Sequence, residues 1–169
     1  MGEDQSLQAA YLMAGVKLST VIDAIGALSV TLTNGKALKI QEDSTLPESA
    51  LRLGGVMFPK PDGFITGLTV EPQTYGSNGA ERMDVRYSLT YVFCSTPIGS
   101  GRVLSADNYV TVVDDTVLIL NAILTNDDIS DGVDLRLADV LSFGAVSDPA
   151  GNMFYGTEIQ LSVTELYEV

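Results

Sequence analysis

The chain has 169 residues, enough for one domain with a buried core and too few for two of ordinary size. A hydrophobic fraction of 46% with 18% charged residues fits a folded domain, and nine Lys and Arg against 22 Asp and Glu (net −13) leave little to neutralise a nucleic-acid backbone. With no His, no Trp and one Cys, a Ser-His-Asp triad, a Cys-His pair, a His-rich metal site and an intrachain disulfide are excluded.

The start of the chain is acidic at Glu3 and Asp4, unlike a secretory leader, and its longest apolar run, Ala9 to Val16, is far short of a membrane span. A soluble protein, made in a reducing compartment or indifferent to one, is expected. Leu7, Ala10, Tyr11, Ala14, Leu18, Val21, Ile22 and Ile25 recur at three- and four-residue steps, which predicts an amphipathic helix ending near Gly26. Leu12, Met13 and Val16 lie off that stripe, as extra core or as a subunit contact. Two short runs, 28–33 and 36–40, flank Asn34-Gly35 and predict a hairpin with both turn residues at positive φ. Residues 41–63, rich in Pro and Gly, read as a long loop whose apolar piece, from Leu51 through Leu53 and Met57 to Phe58, packs on the core or on a neighbour.

A strand is expected from Phe64 to Val70, with Phe64, Leu68 and Val70 on one face. From Met83 to Cys94 twelve residues alternate strictly: Met83, Val85, Tyr87, Leu89, Tyr91 and Phe93 face a core, and the other face is largely polar. Residues 107–124 carry β-branched residues that suit a strand. Yet Val110, Val113, Val117, Leu120 and Leu124 step by three and four, and Asp114-Asp115 breaks alternation, so a helix is predicted. Val133 to Val146 and Met153 to Tyr167, around 147–152, predict a long C-terminal hairpin with Ile159, Leu161 and Val163 inward. Together these give a single α+β domain, 1–169, with an antiparallel or mixed sheet and two helices, N-terminal and central, packed on it.

Charge is uneven. Residues 1–104 hold ten acidic and eight basic residues, whereas 105–169 hold twelve acidic residues and only Arg136 as a base. Either a solvated face or a surface that repels a polyanion or meets a basic partner accounts for this. A calcium loop set on Asp127 places Asp131 and Gly132 correctly but has Ile129 at position three and Ala138 where a bidentate Glu is required. Asp114 and Asp115, adjacent on a helix, do not converge on one proton or metal. No glycine-rich phosphate motif occurs, and Cys94 has no His to activate it and reads as a small filler. No enzyme, metal or cofactor is expected.

Taken in order, the first helix running into Leu28-Ser-Val-Thr-Leu-Thr33, then Met57-Phe-Pro-Lys-Pro-Asp-Gly-Phe64, Arg86-Tyr-Ser-Leu-Thr-Tyr-Val-Phe93 leading to Pro97-Ile-Gly-Ser-Gly101, a helix, and Phe154-Tyr-Gly-Thr-Glu-Ile-Gln-Leu-Ser-Val-Thr-Glu165 resemble a tail terminator protein of long-tailed bacteriophages over nearly the whole chain. The order and spacing of these strings carry the likeness. The resemblance implies a virion protein of the tail's neck end, assembled in the host cytoplasm. It would form a homo-oligomeric ring, commonly a hexamer, that caps the tail tube protein and ends its polymerisation. The ring offers a surface to the head connector or completion protein, and DNA passes through without specific binding. An acidic lumen would repel that DNA, with Asp114, Asp115, Asp127, Asp128 and Asp131 as candidates. Leu12, Met13, Val16, Leu51, Leu53, Met57 and Phe58 are the candidate subunit contacts. A head completion or tail tube protein, or a monomeric acidic binding module, are the alternatives.

Overall fold

The computed structural model describes residues 17–42, 54–75, 80–98, 106–126, 132–138 and 141–168. Helix α1 occupies 17–26 and buries Val21 and Ile25, the expected stripe, on the sheet. Strands β1 (Lys39–Ile40), β2 (Val56–Pro59), β3 (Ile65–Tyr75) and β4 (Ala80–Pro97) precede helix α2 (Ala106–Thr125). Strands β5 (Val133–Leu137), β6 (Phe143–Ser147) and β7 (Met153–Glu168) follow. The result is a single α+β domain built on one seven-stranded mixed sheet of order β1-β2-β4-β7-β5. β3 continues the β2 side of β4, and β6 continues the β5 side of β7.

The long antiparallel pair β4–β7 is the spine, running from Arg82↔Glu168 to Pro97↔Phe154. Its register follows from the alternation of β4: Met83, Val85, Tyr87, Leu89, Tyr91 and Phe93 are all buried on one face. Ile159, Leu161 and Val163 of β7 join them beneath α1 and α2. A one-residue slip would turn both sets out to solvent. The opposite face of β4 departs from the polar expectation in its second half, where Val92 and Cys94 form a smaller core with Val56, Phe58 and Phe154.

The loop read over 41–63 contains β2. It pairs antiparallel with β4 (Met57↔Phe93, Phe58↔Val92) and parallel with β1 (Ile40↔Met57). Its access to β4 rests on Gly54 and Gly55, both at positive φ; a Cβ at Gly54 would strike the Ser95 carbonyl oxygen. Around Asn34-Gly35 the chain turns back as expected, through Leu32 N–H to Lys36 O and Gly35 N–H to Leu32 O. Only Gly35 has positive φ, however, so the turn is the three-residue type closed by a glycine bulge, and the paired runs reduce to a single bridge, Thr31↔Ala37.

Two further expectations are corrected, the first by a bulge. The β3–β4 register shifts between Thr66 and Thr69, where Gly67 has φ +66. That extra residue turns Leu68 outward, 46% exposed, while Phe64 and Val70 stay against the core and Phe64 packs edge-on to Tyr91. The first arm of the C-terminal hairpin is likewise split. β6 pairs with β7 through Phe143↔Thr157 and β5 through Leu137↔Leu161, so five residues of the arm span three of β7. Thr157 Oγ1 takes up the Ser142 carbonyl in the interruption, at 2.8 Å.

Candidate assembly surface

Helix α2 is apolar on two sides. The side on the sheet carries Val112, Asp115, Thr116, Ile119 and Ile123, all buried. Two of its polar groups are satisfied: Thr116 Oγ1 donates to Val112 O at 2.6 Å, and Asp115 Oδ1 accepts from both the N–H and Oγ1 of Thr33 at 2.8 Å. Ser95 Oγ donates to the other Asp115 oxygen at 3.5 Å. Asp115 therefore ties α2 to the hairpin turn and to Ser95 of β4, where the β4–β7 register shifts between Cys94 and Thr96.

The side turned to solvent is the one whose spacing marked the helix in the sequence. Val110 (59%), Val113 (37%), Val117 (57%) and Leu124 (37%) are exposed, and Leu120 is half-buried. Their alternating three- and four-residue steps are those of positions a and d of a heptad, the narrow seam by which one helix packs on another. Asp114 and Asn121, both exposed, flank it at one heptad's separation. By length and composition alone Asn108–Thr125 is apolar enough to cross a membrane. Its inner face, however, belongs to the core of the domain.

The acidic candidates separate. Asp114 is exposed, whereas Asp115 is 3% exposed and hydrogen-bonded inside, so it is not a lumen-facing group. Asp127, Asp128 and Asp131 lie outside the described residues; of the calcium-loop candidate, Gly132 to Ala138 is described and holds strand β5. The charge-rich third is also less of a surface than composition implied. Asp148 is buried and accepts from the N–H and side-chain amide of Asn152 at 2.9 Å, closing the β6–β7 turn; Glu165 is buried completely.

The contact candidates separate too. Met57 and Phe58 are fully buried, on opposite faces of β2, in the main and smaller cores; they are packing residues and not a subunit contact. Leu12, Met13, Val16, Leu51 and Leu53 lie outside the described residues. Cys94 is buried in the smaller core, its thiol pushed up to about 12 by burial, with Asp148 adding to the effect.

One polar cluster had no signal in the sequence. Glu165 projects into the main core from β7 and accepts hydrogen bonds from Tyr87 (2.6 Å) and Tyr167 (2.7 Å), one on each carboxylate oxygen. Burial raises its pKa, while the two phenol hydrogen bonds and Lys17 pull it back. Burial and the neighbouring carboxylate raise both phenols as well. Lys17 closes the cluster: its Nζ donates to Leu166 O at 2.9 Å and lies 4.0 Å from the centre of the Tyr167 ring, pinning α1 to the sheet. An open crevice of about 310 Å³ runs between the end of α1 and Ile123, Asn126 and Leu135. Among the described residues no three His, Cys, Asp or Glu side chains are grouped to hold a metal ion.

No protein-family model matches the chain, and no curated protein is significantly similar to it.

Proposed function

We propose that the chain is a structural assembly protein and, within that class, a tail terminator of a long-tailed bacteriophage. It is not an enzyme. It closes into a ring at the end of the tail tube, stops tube growth and presents the surface to which the head connector joins, while DNA passes through. The observation that carries the assembly reading is the outer seam of α2, which leaves Val110, Val113, Val117 and Leu124 in water. A monomeric soluble domain gains nothing from a heptad seam facing solvent, whereas a protein that works in contact with others does. What supports the terminator reading within that class is the order of segments quoted above, from the first helix to the closing strand. Of the candidates for an acidic lumen, Asp114 is exposed on α2, and Asp127, Asp128 and Asp131 lie outside the described residues.

The test is to add the purified chain to growing tail tubes and follow their length by electron microscopy. A terminator arrests growth and leaves a cap on one end of each tube. Tubes built of the chain itself would make it a tube subunit, and tubes that grow on unaffected would remove the terminator reading.

A further inference from the structure

We infer that the outer seam of α2 docks a helix of a different protein, one that carries Lys or Arg beside its own apolar stripe. The steps Val110, Val113, Val117, Leu120, Leu124 repeat as a-d-a-d-a, and such a seam is filled by the knobs of another helix. β-Branched Val at two of the three a positions, with Leu120 at one d, favours a single partner helix over a larger bundle. The flank that the core leaves open is acidic and polar, Asp114 and Asn121. Over its whole length α2 holds three Asp and no Lys or Arg, and its last turn lacks a base to offset the negative end of the helix dipole. Asp115 is spent inside on Thr33, so a partner with cations on its flank meets Asp114 and the negative end of the helix.

Among the described residues, a second copy of the chain offers no such partner helix. Of the described helices, α2 has no base and α1 has only Lys17, already held by Leu166 O and the Tyr167 ring. The other described bases, Lys36, Lys39, Lys60, Arg82, Arg86 and Arg136, lie on strands and turns. Two copies meeting through α2 would also bring together chains of net −13. On this assignment Asp114 recognises a partner cation and is not a lumen group. The inference does not depend on the terminator reading. That reading fails if tubes are not capped, and this one fails at the seam.

The experiment uses two synthetic heptad peptides of about three heptads, Val and Leu at a and d, identical but for Lys or Glu at the flanking positions. Each is labelled, kept at a concentration where it is monomeric, and titrated by fluorescence anisotropy with the full chain. The Lys peptide is expected to bind at least about tenfold more tightly than the Glu peptide. Its binding should weaken as salt rises from about 50 to about 500 mM. Val117→Asp, at an exposed position, should abolish binding, and Asp114→Lys should reverse the preference toward the Glu peptide. Binding of neither peptide, or a preference unmoved by Asp114→Lys, overturns the inference. So does a fall in native mass in Val117→Asp, which would make the second copy the occupant. Flotation of the wild-type chain, but not Val117→Asp, with phosphatidylcholine vesicles would overturn it in favour of a lipid surface.

Discussion

Gly156 sits opposite Cys94 in the β4–β7 spine, where a Cβ would run into the Phe93 carbonyl oxygen and come within 2.6 Å of Val146 Cγ2. We expect Gly156→Ala to destabilise the fold by about 3 kcal/mol, read from urea unfolding, because neither backbone nor β6 has room to yield. Asp115→Ala should cost about 1–3 kcal/mol by the same measurement, since it removes the acceptor of two Thr33 hydrogen bonds. Glu165 gives a pH signature. Its folded pKa lies above the ordinary 4.5, so the native state holds a proton that the unfolded chain releases. Stability from this group is therefore present below about pH 4.5 and lost as pH rises through the raised folded value. Glu165→Gln should flatten that decline relative to wild type when unfolding midpoints are compared between about pH 4.5 and pH 8. An equal pH slope in both proteins would contradict the assignment. None of these three roles is visible in the chain as letters. A glycine after an aromatic, an aspartate pair and a glutamate in an alternating strand acquire them only when β4 and β7 align and α2 lands on the hairpin turn.

At the scale of elements, the long patterns were legible and the exceptions were local. Twelve residues of alternation in β4 define its core face without help from the rest of the chain, and the stripe of α1 does the same over 17–26. The helix over 107–124 was also legible, though the residues that reveal it are those it leaves in water. Its buried row mixes Val112, Ile119 and Ile123 with Asp115 and Thr116, and polar residues that are satisfied inside look like surface in a sequence. A bulge accounts for the misplaced Leu68, since one added residue shifts the face without altering composition, and the C-terminal arm pairs with β7 as two separate strands. β2 was hidden by the glycines and prolines around it, which read as loop, whereas Gly54 lets the chain pass close to the Ser95 carbonyl. The hairpin turn offers a check on this scale. Gly35 has φ +80 with open space around it, so Gly35→Ala should cost about 1 kcal/mol through backbone strain alone. A loss no larger than that of Asn34→Ala would contradict a unique need for glycine there.

For the whole molecule, a net charge of −13 keeps copies apart unless specific contacts hold them, and part of the acidic third is folded inward as Asp115, Asp148 and Glu165. What faces solvent is a smaller acidic surface beside an apolar helix seam, a combination suited to ordered assembly with chosen partners. The most direct measurement is the native mass of the purified chain by light scattering, at moderate and high concentration and with tube tips added. A discrete closed multiple near six, alone or once tips are present, is the result a terminator ring gives. Open-ended polymers, or a monomer that neither assembles nor binds tubes, would contradict it.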